Sequence, residues 1–233
     1  MTKVQLFVPC YIQELQVNIA TQTTKLLQKL NCEVILVPSH TCCGQVFLNM
    51  GHYEEATKLA AKYITDFDWK IPVVLPSPSC TGMICSHYPS LLPNESKEAV
   101  AQTFDLIDFM VNNLDYRKLP IAPLQGKLLY HQSCSSLREL KQKQNIEKLL
   151  TASKLTWEKN PSCEECCGFG GMFSMKFSSI SVAMAEQKVE QWVALGIDIV
   201  VSADYSCVLH LESYAKKQNH PIQFLHISDI YAV

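Results

Sequence analysis

Short apolar runs alternate with longer amphipathic stretches along this chain, and the alternation is played through twice. Residues 4–9 (VQLFVP), 33–38 (EVILVP) and 72–76 (PVVLP) have the length and composition of buried strands. A helical pattern covers residues 13–30. In a second one Ala56, Leu59, Ala60, Tyr63, Ile64 and Phe67 fall on one face. Val100, Phe104, Ile107, Val111 and Leu114 predict a further helix, after which Pro120, Pro123 and Gly126 punctuate a connector. The pattern then restarts with a strand at 127–130 (KLLY) and a helix over 137–150. Val182, Ala185, Val189, Trp192 and Val193 mark another helix face, and strands follow at 197–201 (IDIVV) and 222–227 (IQFLHI). Strands that alternate with helices predict parallel sheets covered by helices. The expected fold is α/β: two pseudo-symmetric lobes of parallel-type sheet flanked by helices, over residues 1–118 and 124–233.

Residues 71–94 carry no Asp, Glu, Lys or Arg and are long enough to cross a bilayer. They also contain Pro72, Pro76, Pro78, Pro89 and Pro93. A helix so interrupted would leave backbone groups unpaired in lipid. The segment is expected to be a buried strand running into an ordered loop, with no direct membrane span. The apolar run near the N-terminus is too short for a signal peptide, which places the chain in the cytoplasm. A hydrophobic fraction of 48% and a charged fraction of 18% describe a folded protein. A net charge of −2 argues against a phosphate backbone or an anionic membrane as main partner.

Eleven cysteines change the picture. In a reducing compartment such clusters serve metals or redox chemistry more than structural disulfides. Cys10 is followed 32 positions later by Cys42-Cys43-Gly44, and Cys134 is followed 32 positions later by Cys166-Cys167-Gly168. A later cysteine closes each set, Cys80 and Cys207. Each set lies just beyond predicted strands, where helices begin. Open α/β sheets bind ligands there, and helix N-termini present free N–H groups to an anion. A thiolate-held iron–sulfur cluster is such an anion. Gly44 and Gly168 allow a sharp turn and a close backbone approach. Four thiolates also suit tetrahedral zinc. Adjacent cysteines strain a single ion, whereas they can reach two different irons, and this favours iron–sulfur. His131, His210 and His40 lie within three positions of these cysteines and are candidates to approach a centre or donate to its sulfur. Cys32 reads as a buried hydrophobe, and Cys85 and Cys163 are undecided. No Gly-x-Gly-x-x-Gly, phosphate loop or Gly-x-Ser-x-Gly is present.

The motifs YHQSCSSLREL (130–140), CCGFGGMFSMKF (166–177), SCVLHL (206–211) and PSPSCTGMICSHYP (76–89) resemble a known family. It is the cysteine-rich CCG domain family of iron–sulfur oxidoreductases. The likeness is greatest to its lactate utilization protein A branch and more distant to the cysteine-rich component of heterodisulfide reductase. The resemblance implies an iron–sulfur subunit that acts with two partner proteins of a lactate utilization system and is not catalytic alone. Together they would oxidise L-lactate to pyruvate. It implies a cluster, [4Fe-4S] in type, on Cys134, Cys166, Cys167 and Cys207, and an equivalent site on Cys10, Cys42, Cys43 and Cys80 for a second cluster, zinc or nothing. In the family the last cysteine belongs to a Cys-x-x-Cys pair. Here Met83 and His210 replace its second member, which argues against five-cysteine clusters. A heterodisulfide-type thiol oxidoreductase and a zinc-stabilised scaffold are the alternatives.

Overall fold

The structure, a computed structural model, describes residues 1–37 and 42–232. Strands β1 (Thr2–Leu6), β2 (Cys32–Leu36), β3 (Val73–Leu75) and β4 (Thr103–Asp105) form one parallel sheet in the order β2-β1-β3-β4. Strands β5 (Leu128–Tyr130), β6 (Trp157–Glu158), β7 (Ile199–Ser202) and β8 (Gln223–His226) form a second parallel sheet, in the order β6-β5-β7-β8. The two sheets are therefore copies of one winding. In each, the strand order reverses beside the first strand, at β1/β3 and at β5/β7. Ligands of open α/β sheets sit at this switch point, beyond the carboxyl ends of the strands. Val73, Val74 and Leu75 are fully buried, as parallel strands covered on both faces should be.

Around the first sheet run α1 (Cys10–Leu15), α2 (Val17–Lys29), α3 (Gln45–Asn49), α4 (Tyr53–Asp66), α5 (Pro78–Gly82), α6 (Tyr88–Leu91), α7 (Ser96–Ala101) and α8 (Leu106–Asn113). Around the second run α9 (Lys143–Ser153), α10 (Met172–Lys176), α11 (Ser178–Ala194) and α12 (Tyr205–Lys217).

Several elements differ from the periodicity reading. The helix expected over 100–114 is interrupted, because residues 103–105 pair with β3 as β4. Asp105 then restarts the helix, its carboxylate accepting from Ile107 N at 2.9 Å. The two-residue strand β6 gave no pattern at all. The helix expected over 13–30 instead begins at Cys10 and breaks at Gln16, and the one over 137–150 is a π-turn (Ser135–Glu139) followed by α9. The loop expected after β3 is mostly helical: α5, a π-turn (Met83–His87) and α6. Pro78 and Pro89 lie in the first turns of α5 and α6, where no intrahelical N–H is lost. Among the described residues no helix is long and apolar enough to cross a membrane.

The lobes exchange their last turns. α8 ends the first lobe and packs on α9 of the second, with Asn145 donating to Asp108 at 2.7 Å. The corresponding turn of the second lobe, Ile227–Ile230, packs on α2 of the first. Residues 120–122 pair with 230–232 through Ala122 N to Ile230 O (2.8 Å) and Ala232 N to Pro120 O (2.9 Å). One hydrophobic cluster consequently runs through both lobes, from Val4, Leu6 and Leu26 to Leu129, Trp192 and Leu211.

Asp105 gives this shared region a pH signature. Burial pushes its carboxyl from the usual 3.8 up to about 7, against the hydrogen bond from Ile107 N. A folded-state pKa raised in this way stabilises most below pH 4, where both states are protonated, and the contribution falls as pH rises to 7. Buried His226 and His131, held neutral down to about 4 and about 3, act oppositely and lose stability as pH drops below 6.5. The difference between wild type and Asp105→Asn isolates the carboxyl. Denaturant melts should show the variant gaining on wild type by roughly 1 kcal/mol per pH unit between pH 4 and 7. A pH-independent difference would contradict this assignment.

Candidate metal centre

Each cysteine of the repeated signature is placed by the start of a helix. Pro9 fixes the entry to α1, so Cys10 is its first residue. Ser77 caps α5 by accepting from Cys80 N at 3.3 Å, and this sets Cys80 one residue past Pro78 and Ser79. In the second lobe Cys134 precedes the π-turn, and Asp204 caps α12 by accepting from Ser206 N (3.2 Å) and Ser206 Oγ (2.7 Å), next to Cys207. Gly44 and Gly168 adopt φ of +86° and +91°, a left-handed conformation that turns the chain sharply after each cysteine pair. Their N–H groups donate back to Cys42 Sγ and Cys166 Sγ, both at 3.4 Å. Phe169 N likewise donates to Cys167 Sγ at 3.5 Å.

Both quartets are assembled. In the first, Cys10 Sγ lies 3.7 Å from Cys42 Sγ, and Cys43 Sγ lies 3.3 Å from Cys80 Sγ. In the second, Cys134 and Cys166 are 3.9 Å apart and Cys167 and Cys207 are 3.1 Å apart. Hydrogen bonds from Cys10 and Cys43 hold the Cys42 thiol far below its usual range, and Cys134 and Cys167 do the same for Cys166. Their neighbours Cys10 and Cys134 are pushed up by the hydrogen bonds they share with Cys42 and Cys166 and by burial. Each quartet thus concentrates a thiolate at the first cysteine of its Cys-Cys pair, next to a glycine N–H. These separations far exceed a disulfide bond of about 2.05 Å, and every cysteine is free. Soft donors brought together as two close pairs in each set suit an iron–sulfur cluster. Each close pair also approaches the edge of about 3.8 Å that two thiolates bound at about 2.3 Å would make on one zinc ion.

All eight of these cysteines line a single cavity of about 240 Å³ between the lobes. Sequence reasoning missed the residues that join the lobes there. Asp204, beyond capping its own helix, accepts from Ser79 N of α5 at 2.9 Å and from the Tyr11 hydroxyl at 3.3 Å. Tyr11 also pairs with Ser77 Oγ at 2.7 Å and stacks on Tyr205, with ring centroids 6.1 Å apart. An Asp or Ser placed just before a helix after a strand is the signal that could have found Asp204 and Ser77. Glu139 packs on Gly82 across the same junction, so closely that a Cβ there would collide with its carboxylate.

The candidate surroundings divide. His131 is fully buried with its ring beside Cys167 and Cys207. His210 instead braces the turn behind the pair: its Nε2 lies 3.2 Å from Ser181 Oγ and 3.2 Å from Ser181 O, and Ser181 Oγ donates to Gly168 O at 2.7 Å. Met83 is buried in the apolar cluster that contains Cys43 and Cys80. His40 lies outside the described residues. Cys32 is a core residue; Cys85 is half-buried in a π-turn with its Sγ 3.8 Å from Thr103 O, and Cys163 is exposed.

Asp204→Ala should cost about 2–4 kcal/mol, since it strips the acceptor from Ser79 N and Ser206 N at once. Chemical denaturation of the metal-loaded protein checks this. A loss below about 0.5 kcal/mol would contradict a role in joining the lobes.

The cysteine-rich domain, CCG, matches residues 4–85 and 128–212. Lactate utilization protein A of Bacillus pumilus is 36% identical over 98% of this chain and 98% of its own. Its counterparts from Halalkalibacterium halodurans and Bacillus subtilis are 34% identical over 98% of the chain and 96% and 98% of their own. A crystal structure of a hypothetical protein from Helicobacter pylori superposes with a TM-score of 0.64 at 10% identity, over 97% of this chain. This chain spans about half of that protein (47%), and the likeness is one of fold alone. With two matched repeats covering most of its length and relatives of the same length above 30% identity, the chain belongs to the CCG cysteine-rich domain family, alongside the lactate utilization A proteins.

Proposed function

We propose that this chain is the iron–sulfur electron-transfer subunit of a multi-protein system that oxidises L-lactate to pyruvate. The observation that carries the reading is the pair of contiguous thiol quartets, one at each switch point. Lactate itself comes from the named relatives. Cys10, Cys42, Cys43 and Cys80 would hold one centre, and Cys134, Cys166, Cys167 and Cys207 the other, with residues 1–118 and 124–233 as the two lobes. Iron–sulfur clusters of the [4Fe-4S] type would supply one-electron transfer there. The protein's own part is to orient the thiolates, to donate from Gly44 N and Gly168 N to them, and to keep both quartets on one cavity. We place the protein in the cytoplasm with two partner proteins that carry the lactate chemistry.

The shared cavity favours a second reading, a thiol–disulfide reductase whose substrate meets both centres directly. One experiment separates the two. Lactate is added anaerobically to the loaded chain with and without the partner proteins. Reduction only in their presence, and no disulfide turnover by the chain alone with dithionite, supports electron transfer. Disulfide turnover by the isolated chain supports the second reading.

A further inference from the structure

The two quartets share one sequence register, yet the position three residues before the first cysteine differs between them. Phe7 follows β1 and donates its backbone N–H to Val74 O at 3.1 Å. His131 follows β5 and donates its backbone N–H to Val201 O at 2.8 Å. Both stand three residues before the first cysteine of their lobe. They are therefore equivalent positions carrying different chemistry. In the first lobe Phe7 sits in an aromatic wall with Tyr63 and Phe67, in the same apolar cluster as Cys43 and Cys80. In the second lobe the imidazole takes that place. A ring nitrogen of His131 and the sulfurs of Cys167 and Cys207 all lie within 4.8 Å of one another, and all three residues are buried.

Neither Nδ1 nor Nε2 of His131 has a hydrogen-bond partner among the described residues. Leaving a buried polar group unpaired is costly, and an imidazole has two. Trp192 lies tilted against the ring, centroids 5.8 Å apart, but offers it no polar atom: its indole N–H points to Asn160 Oδ1 at 3.4 Å. Buried Lys188 is engaged elsewhere, donating to Ser162 O at 2.6 Å. Among the described residues no protein group satisfies the ring; a group held by Cys167 and Cys207 would. Imidazole nitrogen is a ligand for both iron and zinc.

We propose that the two centres differ in kind: the second-lobe centre binds a His131 ring nitrogen in addition to thiolates, while Phe7 at the equivalent first-lobe position offers its centre no ligand. The inference rests on the metal-bearing reading above but not on lactate as substrate.

The test uses the full chain, purified anaerobically after growth with 15N-histidine, with Cys43→Ser removing the first-lobe centre. Pulsed EPR of the dithionite-reduced protein should show a strong nitrogen coupling that changes with the isotope. It should vanish in His131→Phe, which installs the first lobe's own residue. If His131→Phe does not fold, His131→Gln serves for the same comparison. A second-lobe signal with no isotope-sensitive coupling, or one unchanged by both substitutions, overturns the proposal. Absence of iron and sulfide would refute the cluster reading by itself. The zinc site is then loaded with Co(II), whose visible spectrum should change in the His131 variants; an identical spectrum overturns the inference in that case too.

Discussion

Cys166→Ser or Cys207→Ser is expected to remove about half of the protein's iron and sulfide while the first-lobe centre stays. The reasoning is local. Cys207 and Cys167 are 3.1 Å apart and form the buried side of the quartet, while Cys166 is the thiol held deprotonated by its neighbours. A serine oxygen is a harder donor with a far higher pKa, and it cannot replace a soft thiolate on iron. Second-lobe ligands come from residues 134–207 and first-lobe ligands from residues 10–80, so losing one set leaves the other intact. Cys32→Ser is the control. Cys32 is fully buried in the core and away from both quartets, so its replacement should lower stability without lowering iron per folded chain. Iron and acid-labile sulfide assays on anaerobically purified variants check this, and full retention in both ligand variants would contradict the assignment.

Gly168→Ala should destabilise the protein by about 3 kcal/mol, and Gly44→Ala by about 1 kcal/mol, although the two glycines are equivalent in the repeat. Both have positive φ, and a side chain there costs about 1–2 kcal/mol in either lobe. The surroundings make the difference. A Cβ at Gly44 would meet nothing nearer than Ala56 O at 3.4 Å, an ordinary contact. At Gly168 it would fall 2.8 Å from both Ser181 O and Met184 Cβ. Ser181 cannot retreat, because its Oγ already binds Gly168 O at 2.7 Å and its carbonyl lies 3.2 Å from His210 Nε2. Overpacking of this kind adds roughly 1–3 kcal/mol. Gly168→Ala should also displace the N–H that donates to Cys166 and lower second-lobe metal content. Equal destabilisation of the two variants in anaerobic denaturant melts would contradict the argument.

The cysteine spacing made the site legible because register survives folding. Residues that recur at the same separation on a twice-used winding land at the same place in each copy. The alternation of apolar runs and amphipathic stretches likewise gave the parallel sheets. The three-residue strand β4 was hidden because Phe104 and Ile107 also satisfy a helical period, and only the Asp105 cap breaks it. The bracing role of His210 was hidden too, since its partner Ser181 is 29 residues away along the chain. The joining of both quartets into one cavity depends on Asp204 reaching Ser79, 125 residues distant. Pairings of that length leave no trace in local pattern.

The most direct measurement is metal and sulfide analysis of the protein isolated without air, read together with EPR after reduction. Thiol quartets that grip redox centres predict iron and acid-labile sulfide in about equal amounts, brown colour and a paramagnetic signal on one-electron reduction. Stoichiometric zinc with neither iron nor sulfide would contradict the account.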